Sequence, residues 1–586
     1  MVAMLKKPLF GIMALTLVMA LAPARVVHAT AYTVNSTADP GDGICNATNC
    51  TLREAITAAM VSAGTDTITF SVDGVILLNS TLPSITSTGG ALTIDATGRN
   101  IDINGDEKVR LFAVLSGASL TLKNLELEEG YASEALNYGG GIWNAGNLTV
   151  TDCGFNHNRA YTSGGAIYNT GYLTSMNTVF YSNEVSFVSG GAIMNAEGAT
   201  ANITGGGFSF NWAELGGAIR NKGTLTVIRS IFWLNRGAST GGGAIATGSQ
   251  LTVYNSTFDH NTTSQKGGAI YIDESGHAAI GSSSFTYNQA SYGGGLYHEG
   301  TVMGIYSTEF SHNQAFLDGG GLGGSGDDMI IDMAKFTSNS ADRNGGGMYY
   351  FGDDRVDITG CTFYDNQADE NGGGLYYSGL SGMEITGCTF HENFAVVDGG
   401  GIWTDGGAFG LRMVITNSTL SANQAGDQGG GIYSEGYQDL LNCTLSGNQA
   451  LSGGGIYASE DVQFQTRFKN TIVADSPSGG NCVLGIHYLS CNQGNNLDDG
   501  STCGWDDYDG SMSNTDPMLD SLDWNGGGTQ TMRLLDGSPA INGVVYRLRN
   551  DCPSTDQRGY LRLLTDNCDI GAFELVFLLF LPITVE

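Results

Sequence analysis

Three observations predict that this 586-residue chain is all-β, its strands wound into the coils of a parallel β-helix, a solenoid. The first is repetition. GGGIWNAGNLTVTDCGFNHN (139–158), GGAIYNTGYLTSMNTVFYSN (164–183) and GGAIRNKGTLTVIRSIFWLN (216–235) share one plan: glycines, an apolar marker, then a closing Asn. The marker recurs at Ile142, Ile167, Ile193, Ile219, Ile245, Ile270, Leu296, Leu322, Met348, Leu375, Ile402, Ile432 and Ile456. Units of near-constant length imply a stack in which each touches only its neighbours. The second is alternation: Leu148 and Val150 flank Thr149, and Leu225 and Val227 flank Thr226, the two-residue period of a strand. The third is the 88 glycines set against 9 prolines, which call for many tight bends. About 26 residues at that glycine density suit three short strands per coil and leave little room for a helix.

The elements follow in chain order. Lys6 and Lys7, the apolar run PLFGIMALTLVMALAP and Val27-His28-Ala29 read as a secretory signal peptide over residues 1–29. Residues 30–138 are the expected N-terminal cap and first coils. Thr51 and Glu54 are spaced as a capping box before TLREAITAAM, where Leu52, Ile56 and Met60 recur at helical spacing. Such a helix would cover the exposed strand edge of the first coil. Residues 139–475 hold the glycine-rich repeats. Glycine belongs where φ is positive or where the chain approaches the next coil, and the apolar markers and Phe positions stack inward. The closing Asn, at twelve positions from Asn158 to Asn448, fits a left-handed turn and can also ladder amide to amide. Residues 476–586 form the C-terminal region. Its last stretch, LVFLLFLPITVE, is too short to span a bilayer, and no transmembrane helix is expected in the mature chain.

Charge narrows the partners. The formal net charge is −33, with only 25 Lys and Arg, so nucleic acid phosphates would be repelled and no nucleic-acid partner is expected. Eleven cysteines in an exported chain suggest disulfides. Cys45 and Cys50 can close a small loop. Cys482, Cys491, Cys503, Cys552 and Cys568 allow two more bonds. Cys153, Cys361, Cys388 and Cys443 share one repeat position and read as small buried hydrophobes.

The GG[AG][ILM] and Phe-x-x-Asn signatures, from Gly139 to about Tyr457, resemble the polymorphic outer membrane protein repeats. That resemblance implies a right-handed β-helix of pectin-lyase-like fold in an extracellular, often adhesive, surface protein. Those proteins usually end in a membrane-embedded β-barrel, and no such domain is expected in this C-terminal stretch. CTLREAI (50–56) resembles an N-terminal segment of secreted bacterial β-helix proteins. TDPMLDSLDWNGGGTQTMRLLDGSPAIN, followed by TDQRGYLR and CDIGAFE, resembles a choice-of-anchor domain, with Asn542 where that family has Asp. Cys552 and Cys568 bracket DQRG, and a disulfide closing this loop is expected.

Two sets of outward residues are candidate sites. The residue after each marker is aromatic in nine of thirteen units: Trp143, Tyr168, Tyr271, Tyr297, Tyr349, Tyr376, Trp403, Tyr433 and Tyr457. Such a row can meet a polysaccharide or cell-surface glycan, or serve only to stabilise adjacent coils. Asp327-Asp328 and Asp353-Asp354, 26 residues apart, place carboxylates on adjacent coils, where calcium would relieve their repulsion; no other cofactor is implied. Asp342, Asp369 and Asp398 line the loops before successive glycine runs. His157, His260 and His312 share one column and read as solvated side chains rather than a catalytic dyad. The function expected is a secreted or cell-surface module for adhesion or glycan binding, with an extracellular polysaccharide lyase or hydrolase of the same fold as the alternative.

Overall fold

The computed structural model describes residues 29–576 apart from 63, 353, 380, 406–411, 460–465, 486–491, 506–508, 546–551 and 563–566. Residues 1–28, nearly all of the expected signal peptide 1–29, together with Asp353, Cys491 and the last ten residues, lie outside the described residues.

The chain is an all-β, right-handed parallel solenoid of about 16 turns with one α-helix near its N-terminus. One coil shows how sequence becomes structure. Ile167–Asn169, Tyr172–Met176 and Val179–Tyr181 are its first three strands, and each pairs in parallel with its equivalent one coil away. Stacked through the molecule, these strands build a first, a second and a third sheet. A fourth segment, Glu184–Val185, pairs in the same way, so twelve of the coils carry four strand segments where three were expected. The extra one arises because the backbone stays in register past the Asn corner, burying a small separate core of Ala132, Ala160, Val185 and Ala213.

The glycine run satisfies both of its requirements at successive positions. Gly164 has φ +66°, while a Cβ at Gly165 would overlap the carbonyl oxygen of Gly191 on the next coil. The marker column is fully buried, Ile270 included. Behind it, ten phenylalanines from Phe155 to Phe390 stack nearly parallel, with neighbouring centroids 4.5–5.0 Å apart.

The closing asparagines form the amide ladder but are not the left-handed residues. That conformation falls one position earlier, at His157, Ser182, Phe210, Leu234 and their equivalents. The Asn side chain turns inward. Asn261 Nδ2 donates to Asn288 Oδ1 (3.0 Å) and to the Phe232 carbonyl (2.9 Å), and the same Oδ1 accepts the Asn261 backbone N–H (2.9 Å). The amide thus satisfies backbone groups that the corner would otherwise bury unpaired. A second ladder ends the first sheet, running Asn144 to Asn169 to Asn195 to Asn221 at 2.7–2.8 Å. The buried thiols belong to a third. Cys361 N–H donates to Cys388 Sγ (3.3 Å) and Cys388 N–H to Ser418 Oγ (3.1 Å), so cysteine and serine fill one acceptor column.

At the N-terminus, the helix Leu52–Val61 carries the Thr51/Glu54 capping box and buries Leu52, Ala55, Ile56 and Ala59 against the first coils. At the other end the solenoid continues past residue 475, since Cys482–Val483 and Leu497–Asp498 still pair with preceding coils. Gly479 and Gly480 still precede Cys482 there, aligned with Gly453 and Gly454 of the preceding coil. Disulfides join Cys45 to Cys50, Cys482 to Cys503 and Cys552 to Cys568.

Candidate functional site

The outward aromatic column lies on the first sheet, and its rings are partly covered rather than fully solvated. Trp143 and Tyr168 are register partners at one end, with Tyr168 stacked on Tyr138 at 4.4 Å. Met194, Arg220 and Ala246 then interrupt the column, and Gly323 interrupts it again. From Tyr349 it is continuous. Tyr349 stacks on Tyr376 (5.1 Å), Tyr376 on Trp403 (4.2 Å, interplanar angle 1°), Trp403 on Tyr433 (5.9 Å) and Tyr433 on Tyr457 (5.5 Å). Within this row each inner ring has both faces on its neighbours, so edges and hydroxyls meet the solvent. Burial pushes the Tyr349 phenol up to about 12, which keeps it a neutral donor. The Tyr433 hydroxyl donates to Glu435 (2.8 Å), and that of Tyr271 to Glu299 (2.5 Å).

A polar border runs beside this row. Arg343 pairs with buried Asp318, and Asn344 Nδ2 donates to Asp318 Oδ1 (3.1 Å). Asp398 accepts the Gln428 N–H (2.9 Å). Burial first, then the charges of Asp427 and Glu435, push the Asp398 carboxyl up to about 6. Asp342 and Asp369 are exposed.

The calcium candidates sit one residue out of the expected alignment. Met329 pairs with Val356, a step of 27, which sets Asp327 opposite Asp354 and Asp328 opposite Arg355. Asp327, Asp328 and Asp354 are exposed, and Asp353 lies outside the described residues. Among the described residues no group of three or more His, Cys, Asp or Glu side chains is placed to hold a metal ion.

Sequence reasoning missed two regions of the third sheet. Near its N-terminal end Asp102, Glu126 and Glu128 share the outer face, with Asp102 opposite Glu126. Asn156 Nδ2 bridges Glu126 (2.9 Å) and Glu128 (3.0 Å). Burial, then the charges of Glu128, Glu126 and Glu129, push the Asp102 carboxyl up to about 7. A cavity of about 570 Å³ opens beside it, lined in part by Arg99, Asn124 and Asp152. A carboxyl that keeps its proton near neutrality beside other carboxyl groups has what a general acid needs.

Farther along, the C-terminal region straps over the same sheet. Gln557 Nε2 donates to the Cys388 carbonyl (3.2 Å) and Thr389 Oγ1 (2.9 Å), and Thr419 Oγ1 donates to Gln557 Oε1 (2.6 Å). Arg562 is fully buried, bonding Glu574 (3.1 Å), Asn417 Oδ1 (2.9 Å) and the Gly571 carbonyl (2.8 Å). The strap's contacts link residues 127 to 169 positions apart, beyond the reach of pattern reading.

Comparison with known families agrees with this architecture. The family model described as a right-handed β-helix region matches residues 242–412 and 321–473. The Chlamydia polymorphic membrane protein repeat matches residues 155–170, from the first Phe of the stack to the next coil. No curated protein matches the chain. The chain is thus a right-handed parallel β-helix carrying a repeat similar to those of polymorphic membrane proteins. No helix among the described residues is long and apolar enough to cross a membrane.

Proposed function

We propose that this protein is exported and acts at the cell surface or outside the cell as an adhesion module that binds glycans. The observation that carries this reading is the row Tyr349, Tyr376, Trp403, Tyr433 and Tyr457, five rings in register on a rigid face. Its phenol and indole edges, bordered by Glu435 and Asp398, offer repeated hydrogen bonds to the hydroxyls of an extended polysaccharide. Rigidity favours binding, because little side-chain freedom is left to lose. The test is retention of the mature protein on a panel of neutral and acidic polysaccharides, with product analysis of each. Retention without cleavage, weakened several-fold by Trp403→Ala, supports adhesion.

One feature favours the chain-cleaving alternative, the half-buried Asp102 carboxyl, pushed up to about 7 beside Glu126 and Glu128 at the mouth of a cavity. Depolymerisation of any polysaccharide by the native protein, lost in Asp102→Asn, would replace the adhesion reading with a hydrolase.

A further inference from the structure

The corner after the third sheet carries a second aromatic feature, unlike the first-sheet row. Seven consecutive coils each place a ring at the corner position (His157, Phe210, His260, Tyr287 and His312) or on the strand residue just before it (Tyr181 and Trp233). Phe210 and Tyr287 do so with φ of +56° and +53°, a conformation that bulky residues adopt at a cost. The same column elsewhere holds Ser182, Asp365 and Ala422, so the corner itself does not require a ring.

Ring orientation sets its first four rings apart from the first-sheet row, while His260, Tyr287 and His312 stack at 25°. His157 meets Tyr181 at 77°, Tyr181 meets Phe210 at 67°, and Phe210 meets Trp233 at 83°, with centroids 5.0–5.6 Å apart. In an edge-to-face pair one of the two rings turns its faces away from the neighbour, where parallel stacking covers a face of both. Tyr181, Phe210 and Trp233 are each about 40% exposed, and Val179 and Ile231 extend the apolar strip along the sheet. At its head His157 borders a cavity of about 430 Å³ shared with Glu107, Tyr131, Arg159, Ser182 and Glu184. Arg159 and Glu184 pair there at 3.0 Å, leaving donors and acceptors but little net charge.

We propose that this corner is a binding ridge for a linear, neutral polysaccharide. One sugar residue sits in the polar cavity beside His157, and the next lie face-on over Tyr181, Phe210 and Trp233. An apolar strip of this kind marks a binding surface. The chain's net charge of −33 disfavours a polyanion. The inference rests on the glycan reading above but assigns a separate site and a different contact, ring faces rather than edges.

The test uses the full mature chain on a glycan array. Trp233→Ser and Phe210→Ser take residues already present in their columns, Ser209 and Ser182, so the coil should fold. Each is made in the native and in the Trp403→Ala background. The expected result is at least tenfold weaker binding to neutral glycans in both backgrounds, with the melting temperature held or raised in Phe210→Ser. If the native protein binds glycans and the ridge variants bind equally well, the ridge is wrong and the glycan reading stands. If the native protein binds none, both fall. If the native protein self-associates and Trp233→Ser makes it monomeric, the ridge is a protein interface and the inference is overturned.

Discussion

Two stretches of the third sheet's outer face differ: it is polar under the C-terminal strap and apolar over the coils that carry Tyr181 and Trp233. Thr389, Thr419 and Thr444 are fully buried under the C-terminal strap, whereas Val179, Tyr181, Ile231 and Trp233 stand in solvent on the same sheet. Inside both regions the same Phe or Leu column packs identically. The strap brings backbone and an amide, Gln557, into contact with the sheet, and buried polar groups need partners. Hydroxyls at Thr389 and Thr419 supply them. Burial under the strap is thus matched by hydrogen-bonding residues, while the exposed rings meet one another edge to face through Phe210.

The sharpest way to break the comparison is Arg562→Met. Removing the guanidinium leaves Glu574 buried without its ion pair, a loss of about 3–5 kcal/mol. Hydrogen exchange should then show the strap opening and the Thr389–Thr444 face becoming accessible, with coils 154–235 still protected. Equal loss of protection in both regions would mean that they are one cooperative unit and that the strap is no separate cover.

A smaller effect is expected at the acidic end of the same sheet. The folded Asp102 carboxyl holds its proton to about pH 7, against an ordinary 3.8. Folded protein then binds more protons than unfolded between those values, so this contribution is present below pH 4 and lost as pH rises through 7. The slope is at most about 1.4 kcal/mol per pH unit for one proton. Melting of Asp102→Asn should depend less on pH than that of the native protein between pH 4 and 7. An unchanged slope would assign the titration to other groups.

The smallest effect concerns stability at the open rings. Trp233→Ser should change unfolding free energy by no more than about 0.5 kcal/mol, as surface substitutions usually do. A loss of several kcal/mol by chemical denaturation would show that the ring holds the coils together, and would erase the contrast with the covered face.

Much of this fold was legible in the sequence because stacking makes each coil repeat the same local problem. Ile270, Phe258 and Asn261 recur with their neighbours at a fixed spacing, so inward position, bend and ladder could be read from one unit. The left-handed residue was misplaced by one, because Asn suits such turns in isolation. Here a buried backbone needed its amide more. The outward aromatic column was legible as a column, but not the mutual stacking that covers its faces, which depends on side-chain rotamers. Asp102 and Glu126 were invisible because they precede the glycine repeats, and Arg562 because its partners are separated by long stretches of chain.

The asparagine ladder also makes the length of the molecule a discrete quantity. Every rung from Asn158 to Asn423 passes its Nδ2 proton to the following coil in the same sense, so any rung can follow any other. Whole coils can be gained or lost, each changing the span by about 4.8 Å, without a new junction having to be invented. A loss of half a coil would instead set a hydroxyl column against an amide column and leave both unpaired. Thirteen such units reach roughly 60 Å, a distance that gene duplication can lengthen or shorten only in these steps.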